Sequence, residues 1–274
     1  MFLWDDIGAT QIRIDGTDAA APAVSALLDA CTVPIAIHDH LRAGILGTGT
    51  LLRAGERHLL LTAAHLFEKA RSSGNWLVPC RASGQLLSLE GAQVHLVEGR
   101  DIALIDLARI HAPARLLCGR VALPAALALT RARLARRRTP RAATPRTPTY
   151  CVAGYPAAWS RFERGYLAAR RLTITTRSTR TTRPTRQHAG GAEGDSTDDG
   201  TDELRCLYGR VAERCDGQLI HTPALEGMSG AAIWEVERGN GTATLHLAGV
   251  QSAFMHSRYL RGDAAHLCEP FLRR

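Results

Sequence analysis

No apolar run among these 274 residues approaches the about 18–20 residues that a helix needs to cross a bilayer. The sequence therefore offers no transmembrane helix. The start, Met1-Phe2-Leu3-Trp4-Asp5-Asp6, lacks the basic residues that open a secretory signal. A cytoplasmic protein is the expectation. No Cys-x-x-Cys pair occurs among the seven cysteines Cys31, Cys80, Cys118, Cys151, Cys206, Cys215 and Cys268. An odd number at irregular spacing argues against a disulfide framework or a zinc site, so most are read as reduced structural thiols. His38 and His40 have no third ligand near them in sequence, and no metal or cofactor is expected. Lysine is all but missing, with Lys69 the one example among 34 basic residues.

What is there is ordinary globular material, 45% hydrophobic and 22% charged, which excludes wholesale disorder. The basic excess of +8 raises the question of an anionic partner. Its location answers much of that. Residues 130–149 hold seven arginines and three prolines with no acid. The block has no interleaved aromatics on which bases could stack, so it reads as a solvated linker and argues against nucleic acid as a partner. Farther on, Arg177, Arg180, Arg183 and Arg186 precede an acidic stretch from Glu193 to Glu203. With no core-forming residues, 177–203 reads as a disordered charged loop.

Elsewhere the pattern is of short apolar runs broken by glycine. Residues 45–53 and Arg57–Thr62 flank Ala54-Gly55-Glu56 as a hairpin. Residues 76–79, 85–89, 93–97 and 102–107 continue as strands, and 149–152, 166–175 and 218–222 follow the linker. Asn240-Gly241 joins strands 231–236 and 242–250, a turn dipeptide that tolerates positive φ. The expected fold is all-β in two halves, 32–120 and 150–274, joined by 121–149. Residues 1–31 read as an N-terminal extension in which the alanine-rich Ala19–Ala30 forms a short helix, and 255–274 as a short tail or a helix packing on the second half.

Three segments carry chemistry, in the order His, Asp, Ser: Thr62-Ala63-Ala64-His65, Asp101-Ile102-Ala103-Leu104 and Gly227-Met228-Ser229-Gly230. A serine hydroxyl is a weak nucleophile until an imidazole takes its proton and a carboxylate orients that imidazole. Glycines around Ser229 permit a strained turn whose Gly227 and Ser229 amides can face a developing oxyanion. Asp106 is a rival for the acid. It lies five residues along from Asp101, and positions five apart on a strand face opposite sides, which favours Asp101.

Together these segments resemble the trypsin-like, chymotrypsin-fold serine peptidases. Gly47-Thr48-Gly49-Thr50-Leu51-Leu52 is similar to the family's strand before the histidine. Val152-Ala153-Gly154-Tyr155-Pro156 is similar to its second-barrel opening strand, and Leu247-Ala248-Gly249-Val250-Gln251-Ser252 to its substrate-holding strand. The resemblance implies two six-stranded antiparallel Greek-key β-barrels with the site in the cleft between them. It implies Ser229 as nucleophile, His65 as base, Asp101 as orienter, and the Gly227 and Ser229 amides as oxyanion hole. Pro223, Ala224, Ser252, Ala253 and Phe254 would contact a protein or peptide substrate. Met228 stands where digestive members carry an aspartate that pairs with a freshly cut N-terminus, so control by an activating partner or loop ordering is expected instead. The pattern is closest to bacterial, HtrA-like protease domains without a PDZ module. The second reading is a catalytically silent scaffold on the same fold.

Overall fold

The computed structural model describes residues 11–14, 17–20, 23–38, 43–71, 76–81, 84–110, 113–128, 149–163, 166–177, 203–214, 218–238, 242–255 and 258–272. The arginine block at 131–146, almost all of the charged loop, and the Asn240-Gly241 turn lie outside them.

The molecule is mostly β and is organised around two large sheets in which successive neighbours are antiparallel, with two parallel pairings at the margins. The first sheet runs, in spatial order, through Leu86–Ser88, Trp76–Pro79, Thr32–His38, Ala43–Ala54, Arg57–Thr62, Ala103–Asp106 and Gln93–Leu96. The short strand Leu123–Pro124 lies parallel to Leu52 and Arg53. The second sheet runs through Glu203–Leu207, Tyr259–Ala264, Thr242–Met255, Ala232–Arg238, Thr149–Gly154, Leu172–Arg177, Val211–Arg214 and Leu219–His221. A separate hairpin pairs Ser160–Glu163 with Tyr166–Ala169.

Period-two alternation explains how continuous apolar runs serve as strands. In Arg57–Thr62, Leu59 and Leu61 enter a central core, while Leu60 enters the core of the first half alone. Likewise Cys151 and Ala153 join the central core, whereas Tyr150 and Val152 join that of the second half. Ala232, Trp234 and Val236 repeat the division against Ala231 and Ile233. Both faces of these strands are therefore dry, and the central core knits the two sheets together.

Three expectations need correction. The segment read as a tail is not one. Tyr259–Ala264 is a strand between Thr242–Met255 and Glu203–Leu207, followed by a short helix Glu269–Leu272. The strand expected at 166–175 is broken at Arg170 and Arg171, where two charged side chains interrupt the alternation. The segment read as an extension is built into the fold. Helix Ala23–Cys31 places Val24, Leu28 and Cys31 in the central core, and Gln11–Ile14 pairs with the strand that begins at Thr242. Asp29 on that helix takes Arg171 Nη1 at 2.7 Å and Arg81 Nη2 at 3.1 Å, one from each half.

Among the described residues no helix is long and apolar enough to cross a membrane. Of the described cysteines, Cys31, Cys80, Cys151, Cys206 and Cys268 are buried. Burial pushes the thiols of Cys31, Cys206 and Cys268 up to about 12, while Cys118 is exposed. Iodoacetamide at neutral pH should therefore alkylate Cys118 well before those three. Mass-spectrometric peptide mapping checks this, and early modification of Cys31 or Cys206 in folded protein would contradict the packing.

Candidate active site

The histidine and the aspartate meet because two neighbouring strands are antiparallel. Thr62 pairs with Ala103, so the chain just after Thr62 and the chain just before Ala103 lie at the same end of the sheet. After Thr62 the chain turns into helix Ala64–Arg71, with His65 in its first turn. Amides in that turn have no intrahelical acceptor. Asp101 supplies one. Its Oδ1 accepts from the His65 amide at 2.7 Å, and its Oδ2 lies 2.6 Å from Nδ1 of the imidazole. A carboxylate can only accept, so Nδ1 carries the proton and Nε2 is left as acceptor. Asp106 is engaged elsewhere: it accepts from the Ala108 amide at 2.9 Å and caps a short 3-10 turn.

Ser229 sits in a tight turn between two glycines with positive φ, Gly227 at +89° and Gly230 at +88°. These values favour glycine because a Cβ would clash. On Gly227 it would come within 2.6 Å of Tyr155 O. On Gly230 it would strike Thr48 O and Thr62 Oγ1, and lie 2.9 Å from the Ala63 amide. Gly230 thus packs on the very end of the strand that leads to His65. Ser229 lies one residue before Gly230 and His65 two residues after Ala63, so the two backbones approach each other here.

The turn's own amides divide into two groups. Those of Met228, Gly230 and Ala231 donate to Leu225 O, Gln251 O and Met228 O at 2.9, 2.7 and 2.8 Å. Among the described residues, those of Gly227 and Ser229 donate to no protein acceptor. The two amides expected to face an oxyanion are the two left unspent.

Thr48 holds this turn from the opposite half. Its amide donates to Ser229 O at 2.8 Å, its hydroxyl donates to Gly227 O at 2.8 Å, and the same hydroxyl accepts from the Tyr155 amide at 3.0 Å. The residue is fully buried. Thr48→Val keeps the shape and removes the hydroxyl, leaving one carbonyl and one amide unmet. The expected loss is about 2–3 kcal/mol of stability, read by urea denaturation, with Thr48→Ser recovering most of it. A neutral Thr48→Val would refute this account of the turn.

The expected substrate-contact residues lie around the turn. Gly230 N–H…O Gln251 and Gln251 N–H…O Ala231 tie the turn to the strand that continues through Ser252, Ala253 and Phe254. Beyond those Gln251 bonds, the described residues offer Ser252, Ala253 and Phe254 no strand partner on that side; on its other side the strand pairs with Tyr259–Ala264. A register irregularity lies between Gln251 and Ala253, and Ser252 is buried there. Pro223 O accepts from the Tyr208 hydroxyl at 2.6 Å, and Ala224 is exposed. Phe254 packs against the cluster containing Tyr208, Leu225 and Met228. Met228 itself is buried among apolar groups beside Gly154.

One residue escaped the sequence reading. Asp263, from the second sheet, reaches across to accept the Asp101 amide at 3.3 Å. Nothing in Tyr259-Leu260-Arg261-Gly262-Asp263-Ala264 marks it out, since a lone acid on a strand has no motif. Burial chiefly, with the Asp101 charge adding to it, raises the Asp263 carboxyl above its ordinary 3.8, against the pull of the Asp101 amide, Arg100 and Arg261. The folded state therefore keeps a proton that the unfolded state has lost, and stability falls as pH rises through that interval. Asp263→Asn should lack this fall. Melting temperatures across the acid range for both proteins test it, and parallel curves would contradict it.

Among protein-family models none matches the chain, and no curated protein matches it. Among solved structures, the chain is similar to AL20, a thermostable serine protease from an extremophilic microorganism. Identity is 10% and the TM-score 0.49, over 90% of this chain and 97% of that one. It is also similar to a chain from a structural study of the coupled folding and binding of the Sesbania mosaic virus VPg protein. There identity is 14% and the TM-score 0.46, over 89% of this chain and 91% of that one.

Proposed function

We propose that the protein is a serine endopeptidase of the trypsin-like, chymotrypsin-fold kind, working through a Ser229–His65–Asp101 triad. The observation that carries the reading is the two-point clasp of His65 by Asp101, 2.7 Å to the amide and 2.6 Å to Nδ1, beside a serine turn with two uncommitted amides. In this reading the two sheets are the elaborated forms of two six-stranded Greek-key barrels. Residues 32–120 carry His65 and Asp101, 150–274 carry Ser229, and 121–149 link them.

His65 Nε2 takes the Ser229 proton as Oγ bonds to the substrate carbonyl carbon. The carbonyl electron pair moves to its oxygen, where the Gly227 and Ser229 amides receive the charge. Asp101 holds the imidazole in place and stabilises its cation. The imidazolium then protonates the leaving amine as the C–N bond breaks, giving an acyl-enzyme that water resolves by the same steps. The unpartnered edge at Ser252, Ala253 and Phe254 suits an extended peptide adding as a strand. Pro223 and Ala224 carry no charge, which fits a small or apolar residue on the acyl side of the cleaved bond. Burial of Met228 supports control other than by an ion pair with a new N-terminus, through a partner or loop ordering.

The test is labelling by a fluorophosphonate, followed by peptide-library cleavage. Wild type should be labelled and Ser229→Ala should not. Equal labelling of the two removes Ser229 as nucleophile, and an unlabelled wild type favours the silent-scaffold reading.

A further inference from the structure

We propose that Asp263 is a positioning residue of this site: a carboxylate supplied by the second sheet that holds the Asp101 loop and adds its charge to the field at His65. The inference rests on the endopeptidase reading.

The loop ahead of Asp101 is a tight turn, with Gly99 at φ +66°. Its amides at Val97 and Arg100 donate locally, to Ile102 O at 3.0 Å and Val97 O at 3.1 Å. The Asp101 amide has its acceptor on the second sheet, in Asp263 Oδ2 at 3.3 Å. Asp101 is therefore held twice. Its side chain binds His65, and its backbone is moored to the half that carries Ser229. The acid and the serine turn are thereby fixed relative to each other by one side chain.

An uncharged acceptor would moor the loop equally well. An asparagine would do so without placing a second carboxylate next to Asp101. Arg100 on the loop and Arg261 on the same strand are the cations that act on Asp263, and burial opposes its charge more than they favour it. Cys268 beneath it is buried, and its thiol is pushed up to about 12. Above its own titration the carboxylate lowers stability, a cost found where function needs an unfavourable arrangement. The gain falls on His65. When the imidazole accepts the serine proton it becomes a cation, and negative charge behind Asp101 stabilises that state.

Asp263→Asn keeps an acceptor and removes the charge, whereas Asp263→Ala removes both. The His65 imidazole is titrated by NMR in free protein, and kcat and KM for a cleaved peptide are followed against pH. In Asp263→Asn the His65 titration and the acid limb of kcat/KM should both move down by about half a pH unit. Its kcat should fall about threefold with KM unchanged. Asp263→Ala should show the same titration shift and a further loss of about tenfold in kcat, as the loop loses its mooring. The proposal is overturned if the His65 titration in Asp263→Asn superimposes on wild type, or if Asp263→Ala retains wild-type kcat. The NMR titration needs no turnover. Equal fluorophosphonate labelling of wild type and Ser229→Ala therefore rejects the endopeptidase reading, and an unmoved titration rejects this one.

Discussion

Ser229→Ala and His65→Ala are each expected to lower peptide turnover by about a million-fold while the protein keeps its fold. The size follows from how the groups depend on one another. Without the hydroxyl there is no atom to acylate, and without the imidazole the hydroxyl keeps its proton. Because they act as a unit, the double variant should lose little more than either single one. Neither side chain is a structural keystone. Both are half-buried, and the bonds that fix the turn use backbone atoms of Gly227, Ser229 and Gly230. In His65→Ala the amide that Asp101 caps is still present. Steady-state kinetics with circular dichroism and thermal melts measure both halves of the statement. Additive losses in the double variant, or a single variant with more than a thousandth of wild-type turnover, would show that catalysis runs through other groups.

Gly230→Ala should be among the most damaging single-methyl changes at the described glycines, costing about 4 kcal/mol or more. Two penalties coincide. The backbone sits at φ +88°, where an L side chain is strained. The added carbon also points at Thr48 O and Thr62 Oγ1, and Thr62 Oγ1 is already committed to Thr48 O at 2.7 Å. None of these atoms is the free end of a flexible side chain, so relief requires the turn to lift off the first sheet. That would withdraw Ser229 from His65. The variant should melt earlier and should also lose fluorophosphonate labelling in whatever fraction stays folded. Gly55→Ala is the control. Gly55 has positive φ too, at +60°, but a Cβ there meets nothing within 4 Å, so only the local strain of about 1 kcal/mol is expected. Equal effects at the two positions would mean that the collision at Gly230 is relieved at no cost.

Much of the strand pattern was legible because apolar runs and turn glycines mark it directly, as at Arg57–Thr62 and Trp76–Pro79. The pairing of His65 with Asp101 was legible as a motif, and its geometry follows from the register of Thr62 with Ala103. Other features were hidden for physical reasons. Tyr259–Ala264 carries Arg261, Gly262 and Asp263, so its composition reads as loop although its backbone is fully paired in a sheet interior. Val211–Arg214 is a four-residue strand with charged residues that was passed over for the same reason. Helix Ala23–Cys31 was visible as a helix, but a short alanine-rich segment does not announce that Leu28 and Cys31 are fully buried. Neither the reach of Asp263 to Asp101 nor the grip of Thr48 on Gly227 leaves a local mark. Both join residues far apart in the chain and depend on how the two sheets face each other.

The grip of Thr48 also bears on when the protein becomes able to act. Thr48 and Gly227 are 179 positions apart, and a ribosome delivers the N-terminal partner first. While the chain is being made, His65 and Asp101 can already be clasped together, but no serine turn exists to use them. The turn then takes its working shape only on a completed first half, since its carbonyls are held by that half's buried threonine. On the proposed endopeptidase reading, competence thus waits for contact between the two halves, and an unfinished chain carries the parts of the site without its cutting edge.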